Sequence, residues 1–218
     1  LYQPYFAAEM PGAPAIIFRD HELSDRIGFV YGHMDARDAV DDLMYRLYAI
    51  RDRLSGAKEP HLVSIILDGE NAWEEYEHNG DYFLRRLYER LSKEKDYIRA
   101  VTVSEYLSQH PPRQTIEELA TGSWIGGNLE TWIGEPAQNR AWEYLKRTRD
   151  QLIAWQIESP LPDFEVLERA WEAIYIAEGS DWFWWYYSRN NPAGENLFDV
   201  GFRRHLQTMC MALGLPVP

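Results

Sequence analysis

A single cysteine, Cys210, leaves this 218-residue chain without an internal disulfide. In a helical-looking segment such a lone thiol reads as a small core residue, not a nucleophile. Asn-X-Ser/Thr acceptors, internal repeats and low-complexity tracts are absent. No run of about 18 apolar residues occurs, so no membrane-spanning helix is expected. Cations are the minority charge: 22 Lys and Arg stand against 35 Asp and Glu, a net charge of −13. That balance repels phosphate backbones and anionic lipid, so neither nucleic acid nor membrane is an expected partner. A neutral substrate meets no such penalty. Leu1–Pro14 has neither a basic start nor a long apolar stretch, so it does not read as a signal peptide. A start at Leu1 reads as a cut from a longer parent, and the cytoplasm is the expected location.

What the chain does have is ring-bearing side chains. Aromatics make up 14%, with nine Trp and fourteen Tyr, and Trp182–Tyr187 is an unbroken run. Hydrophobic residues at 45% and charged residues at 26% describe an ordinary globular protein with a real core.

Hydrophobic patterning divides the chain. Ala15–Arg19 (AIIFR) and Leu62–Leu67 (LVSIIL) read as buried strands, with Ile27–Tyr31 and Ile98–Val103 as shorter ones. Val40, Leu43, Met44, Leu47, Ile50 and Leu54 repeat at helical spacing and predict a helix over Met34–Leu54. Asp81–Leu91 reads as another. This alternation suggests βαβ units and a parallel sheet or barrel. After His110-Pro111-Pro112, Gly122–Gly134 reads as an ordered loop and the rest as helices. These are Ala137–Trp155, a segment capped by Asp163 after Pro160 and Pro162, and Asn196–Leu213. The fold class is therefore α/β plus all-α, divided into residues 1–110 and 111–218.

Acidic clusters at strand ends are the candidate chemistry, because parallel α/β folds place function there. In Asp68-Gly69-Glu70-Asn71-Ala72-Trp73 the apolar run delivers Asp68 to an edge, and Trp73 adds a stacking face. The same residues could form a strand-end turn in which Asp68 caps a helix. A hard-cation site is a third reading, which no His-x-His pair supports. Arg19 and Asp25 either hold substrate or form an ion pair that fixes a loop. The Trp-rich run after Glu178-Gly179-Ser180-Asp181 suits a core. Yet no single face buries six adjacent rings, so some are expected to line a cleft, where Trp faces and carboxylates suit a neutral polyol.

LYQPY at Leu1–Tyr5, FRDHELSDRIGFVY at Phe18–Tyr31, LDGENAWEEY at Leu67–Tyr76, GSWIGGNLETWIG at Gly122–Gly134 and AEGSDWFWW at Ala177–Trp185 occur in order. Together they resemble the amylopullulanase-like branch of glycoside hydrolase family 57, and the similarity extends through FDVGFRRHL at Phe198–Leu206. The resemblance implies a retaining α-glucan hydrolase or transferase with no cofactor or metal. It implies an incomplete barrel of seven (β/α) units followed by a helical region that closes the cleft. In that pattern Asp68 is the general acid/base and Glu70 an acidic neighbour. Asp181 and Trp184 help hold the sugar, and Trp73 lies where an aromatic subsite residue is expected.

Retention needs two carboxyls about 5–5.5 Å apart. The resemblance places the nucleophilic Glu upstream of Leu1, and Glu9, in a Pro/Gly-rich connector, is a poor substitute. The expected partners are an α-glucan or maltooligosaccharide and either the missing half of the barrel or a second copy covering the open sheet edges. A non-catalytic glucan-binding module and a metal-dependent deacetylase on a related barrel are the competing readings.

Overall fold

The computed structural model describes residues 1–8, 12–69, 72–159, 163–191 and 196–217. It divides into two compact units, Leu1–Leu119 and Ala120–Pro218, each with its own core. The described residues are mostly helical, with a small sheet. No helix among them is long and apolar enough to cross a membrane.

In the first unit, β1 (Tyr5–Phe6) pairs antiparallel with β2 (Ala15–Ile16), with Tyr5 opposite Ile16. The parallel sheet expected from the apolar runs is reduced to isolated bridges among the described residues. Arg19 pairs with Ser64 and Phe6 with Thr115, both in parallel sense. The expected burial is not reached either: residues 15–19 and 62–67 are half-buried or exposed, with Ile66 47% exposed, because burial and a ladder both need a neighbour in matching register. Leu62–Leu67 is thus an extended segment and not a laddered strand, and Ala15–Arg19 is paired only at its two ends, through Ala15–Ile16 and Arg19.

Two expected strands are helical or irregular. Asp20 caps α1 (His21–Asp25), accepting from the Leu23 amide at 2.9 Å. The chain then continues as a π-helical turn, Arg26–Val30, and a 3₁₀ turn, Tyr31–His33. Leu23, Ile27 and Tyr31, four residues apart, are all buried on one side of this continuous coil. That spacing is helical, despite the β-branched and aromatic composition. Ile98–Thr102 forms no strand, and Val103 opens α4 (Val103–Gln109). Thr102 and Glu105 cap that helix reciprocally.

The expected long helix is α2 (Ala36–Leu54), started by Asp35, which accepts from the Arg37 amide at 2.8 Å. Its apolar stripe packs on α3 (Asp81–Lys93), burying Leu43, Met44 and Phe83. The other side of the stripe opens onto a cavity of about 510 Å³ lined by Leu47, Ile50, Leu54, Val63, Ile65 and Ile98, among others.

The second unit is all helical. A Gly- and Trp-rich loop leads into α5 (Pro136–Glu158), which has Pro at its first turn and a Glu135–Gln138 capping box. Asp163 caps α6 (Phe164–Ala177) by accepting from the Glu165 amide at 2.9 Å. Pro160 and Pro162 lie outside the described residues. Ala170, Ala173 and Ala177 keep α6 slim where it packs on α8 (Leu197–Ala212). Cys210 is buried in this core. Burial pushes its thiol pKa up, the opposite of what a nucleophile needs.

One polar network braces the first unit. Asp42 accepts from Arg46 Nε at 2.8 Å and Tyr31 Oη at 2.8 Å, with Arg26 Nη1 at 3.4 Å. Arg46 also reaches Glu22. The Arg46 hydrogen bond holds the Asp42 carboxyl below its ordinary 3.8. A carboxyl with a depressed folded pKa adds stability above its unfolded value and loses it as pH falls through the folded one. Asp42→Asn is therefore expected to lower stability by about 1–3 kcal/mol at neutral pH. It should also flatten the loss of stability below about pH 4. Urea melts of both proteins across that range check this, and parallel curves would remove Asp42 from the bracing role.

Candidate functional site

Asp68 stands, exposed, at the end of the extended 62–67 segment. Backbone and side-chain groups from residues 19–24 hold that segment in place. The Asp20 amide donates to the Ser64 carbonyl at 2.8 Å. Arg19 Nε donates to the Ile66 carbonyl at 3.0 Å, and Ser24 Oγ accepts from the Ile66 amide at 3.1 Å. Both polar groups of the Ile66 peptide are thus taken by side chains, two residues before Asp68.

Arg19 is fixed in turn by Asp25, whose Oδ1 accepts from Nη2 at 2.7 Å. His21 Nε2 lies 3.0 Å from the other carboxylate oxygen. The loop-fixing reading of Arg19 and Asp25 therefore describes their contacts. Asp20 adds a further tie: it is buried and accepts from Tyr2 Oη at 2.7 Å. Burial and this carboxylate push the Tyr2 phenol up to about 12, so it remains a donor at neutral pH. Asp20 was legible in the sequence only as a polar strand end, yet it is the hub joining the start of the chain to α1.

Glu70 and Asn71 lie outside the described residues. Trp73 is half-buried among the unit's own rings, with centroids 5.3 Å from Tyr76 and 6.1 Å from Phe83. Tyr76 continues this wall, its hydroxyl donating to the Ile27 carbonyl at 2.6 Å. Trp73 is followed by a left-handed turn, with φ of 51° at His78, 53° at Asn79 and 78° at Gly80. Consecutive left-handed residues are costly for side chains other than glycine. A Cβ on Gly80 would also sit 3.0 Å from Trp73 Cε3.

The remaining sequence-predicted residues belong to the second unit. Asp181 is exposed in the first turn of α7 (Asp181–Tyr186). Trp184 is half-buried, 6.0 Å from Trp132 between centroids. Most of the aromatic run is wrapped into a helix, which spreads its rings over partners on α5, α8 and the preceding loop. Phe183 stacks on Trp142 at 3.7 Å and Trp185 on Phe198 at 4.7 Å. Trp182 packs on Phe202 and donates to the Ile176 carbonyl at 2.8 Å. Gln138, fully buried, pins this helix to the preceding loop through the Phe183 and Thr131 carbonyls, at 3.3 and 2.7 Å. Helical wrapping disperses the rings, and Trp182, Trp184, Trp185 and Tyr186 remain half-buried. No group of three or more His, Cys, Asp or Glu placed to hold a metal ion occurs among the described residues.

Residues 1–118 match the family model described as Glycosyl hydrolase family 57. A putative alpha-amylase of Methanocaldococcus jannaschii is 31% identical over 153 residues, covering 66% of this chain and 31% of the relative. The crystal structure of a GH57-type branching enzyme from Pyrococcus horikoshii superposes with a TM-score of 0.76 at 16% identity, over 97% of this chain and 46% of that one. A GH57 branching enzyme from Thermococcus kodakaraensis, solved with glucose and additives, gives a TM-score of 0.63 at 16% identity, over 97% and 44%. With more than half its length matched by the family model, this chain belongs to glycosyl hydrolase family 57. It spans under a third of the curated relative and under half of each solved structure.

The Trp73 wall generates a test. Gly80→Ala combines a left-handed backbone with a clash, and is expected to destabilise the protein by about 1–3 kcal/mol. A denaturant midpoint unchanged from wild type would show that the turn relaxes freely and does not fix Trp73.

Proposed function

We propose that residues 1–218 are part of a retaining α-glucan-active glycoside hydrolase or glucanotransferase in which Asp68 is the general acid/base. The observation that carries this reading is the placement of Asp68 within the family-57 match, exposed at the end of a segment whose Ile66 peptide is gripped by Arg19 and Ser24. A group that must protonate a leaving oxygen and then deprotonate water needs access and a rigid mount. The names of the relatives, an alpha-amylase and branching enzymes, favour α-glucan as the substrate class.

Residues 1–110 are proposed as the later part of an incomplete (β/α)7 barrel, whose ladders are completed by the longer parent. Residues 111–218 are proposed as its helical region, with Asp181 and Trp184 serving as sugar-binding groups. The nucleophilic carboxylate lies outside these residues in this reading, and Glu70 sits beside the acid/base. Enclosure by bound sugar and by the rest of the catalytic domain supplies the dry surroundings that a neutral-pH general acid requires. Arg19 and Asp25 act through Asp68, by holding its segment.

Asp68→Asn in the full-length protein is nearly isosteric but cannot exchange a proton at working pH. Turnover of soluble starch is expected to fall by about 10²–10⁴-fold, with an unchanged melting temperature. Retention of more than about a tenth of the wild-type rate would exclude Asp68 from acid/base catalysis.

A further inference from the structure

The second unit carries a groove that the reading above does not use. It lies between the first turns of α5 and the first three turns of α8, and holds about 230 Å³. Helices that pack closely fill such a space with large side chains. Here α5 presents Ala137 and Ala141 to it, and the space stays open. Its floor is apolar and aromatic, with Phe202 buried and Tyr144 and Tyr186 half-buried. That volume is roughly eight times a water's share of liquid at ~30 Å³ each. It falls below the ~300–1,000 Å³ of a drug-sized site, as suits a single ring.

Polar groups converge on the same space. Asp199 accepts from Arg203 Nε at 2.9 and 2.8 Å through its two oxygens, and from Tyr186 Oη at 2.7 Å. This holds the Asp199 carboxylate between the Arg203 guanidinium and the Tyr186 hydroxyl. Arg203 also lies 6.0 Å from the Tyr144 ring centroid. Its terminal nitrogens, and the side chains of Arg140 and Gln207 at the rim, have no hydrogen-bond partner among the described residues. The groove therefore offers donors from two guanidinium groups and one amide, acceptors from Asp199 and Gln207, and ring faces between them. The Asp199 carboxylate neutralises Arg203, and Arg140 stands at the exposed rim, away from the paired charges of the floor. A neutral ring bearing adjacent hydroxyls matches this mixture in kind, with donors and acceptors for its hydroxyls and ring faces for its apolar side.

We propose that this α5–α8 groove binds one pyranose unit of a neutral oligosaccharide, as a holding site built from residues other than Asp68, Asp181 and Trp184. The sugar class follows from the groove's own chemistry. Its assignment to an α-glucan rests on the function proposed above.

The test titrates the full-length protein with sulfur-linked maltotriose, which glycosidases do not cleave. It compares wild type with Ala137→Leu, which fills the groove from an exposed helix position, and Tyr144→Ala, which removes a ring. Ala137→Leu is expected to keep its melting temperature within about 2 °C, whereas Tyr144→Ala, which removes a ring packed against the core, is expected to stay folded at the titration temperature with a melting point lowered by several degrees. Both are expected to weaken one class of binding by at least about tenfold. Trp184→Ala should leave that class intact. Isotherms of Ala137→Leu and Tyr144→Ala that overlie wild type would overturn the proposal. So would a groove filled by inorganic phosphate, with no displacement by glucose. Equal affinity for β-linked cellotriose would retain the sugar site while detaching it from α-glucan. Failure of wild type to turn over starch would instead count against the proposed function, and leaves these isotherms to be read independently.

Discussion

The Ile66 peptide is the point on which the first unit's candidate chemistry depends. An extended segment inside a wide sheet is held by ladder bonds on both sides, and its end is rigid as a consequence. Among the described residues the 62–67 segment has a single bridge, from Ser64 to Arg19. Arg19 and Ser24 stand in for the ladder, taking the Ile66 carbonyl and amide respectively. Asp25 holds Arg19, and Asp20 caps the helix that carries Ser24 and Asp25. The position of Asp68 is therefore set by a short polar relay from residues 19–25. Such a relay is stiff because each group has lost its alternatives, and a buried polar group left unpaired is costly.

The second unit solves a different problem. Six adjacent aromatics cannot share one face, and the chain disperses them by coiling. Trp182, Tyr186 and Trp185 meet Phe202 and Phe198 of α8, Phe183 stacks on Trp142 of α5, and Trp184 meets Trp132 of the preceding loop. Alanines on α6 let α8 approach closely, and alanines on the first turns of α5 leave the groove open. Small residues thus produce tight packing in one place and space in another, according to whether the facing helix carries apolar or paired polar side chains.

Helices were legible where their signal is local. The apolar stripes of α2, α3, α5 and α8, and the Asp163 cap, need only neighbouring residues to be read. Strands were not, because a ladder depends on a distant partner's register, and LVSIIL says only that six residues prefer burial. The π-helical turn was hidden by β-prone composition, although Leu23, Ile27 and Tyr31 carry its spacing. The Thr-x-x-Glu pattern of Thr102 and Glu105 likewise carries the start of α4, which the strand reading of Ile98–Val103 passed over. Within the candidate site, the Arg19–Asp25 pair was legible as an alternative. The grip on Ile66 was not, since it joins residues 47 positions apart through a backbone carbonyl. The inward packing of Trp73 was hidden for a similar reason: its partner Phe83 lies beyond a left-handed turn that composition marks only by Gly80.

The central claim is double-displacement chemistry at a pair of carboxyls, one of them Asp68. It is tested most directly by the configuration of the first-formed product. Proton NMR of the full-length protein acting on maltoheptaose, recorded before mutarotation equilibrates the anomers, reads that configuration. Two successive inversions at the anomeric carbon predict that the α-anomer appears first. Initial release of the β-anomer would mean a single displacement by water, with the two carboxyls further apart, and would contradict the account.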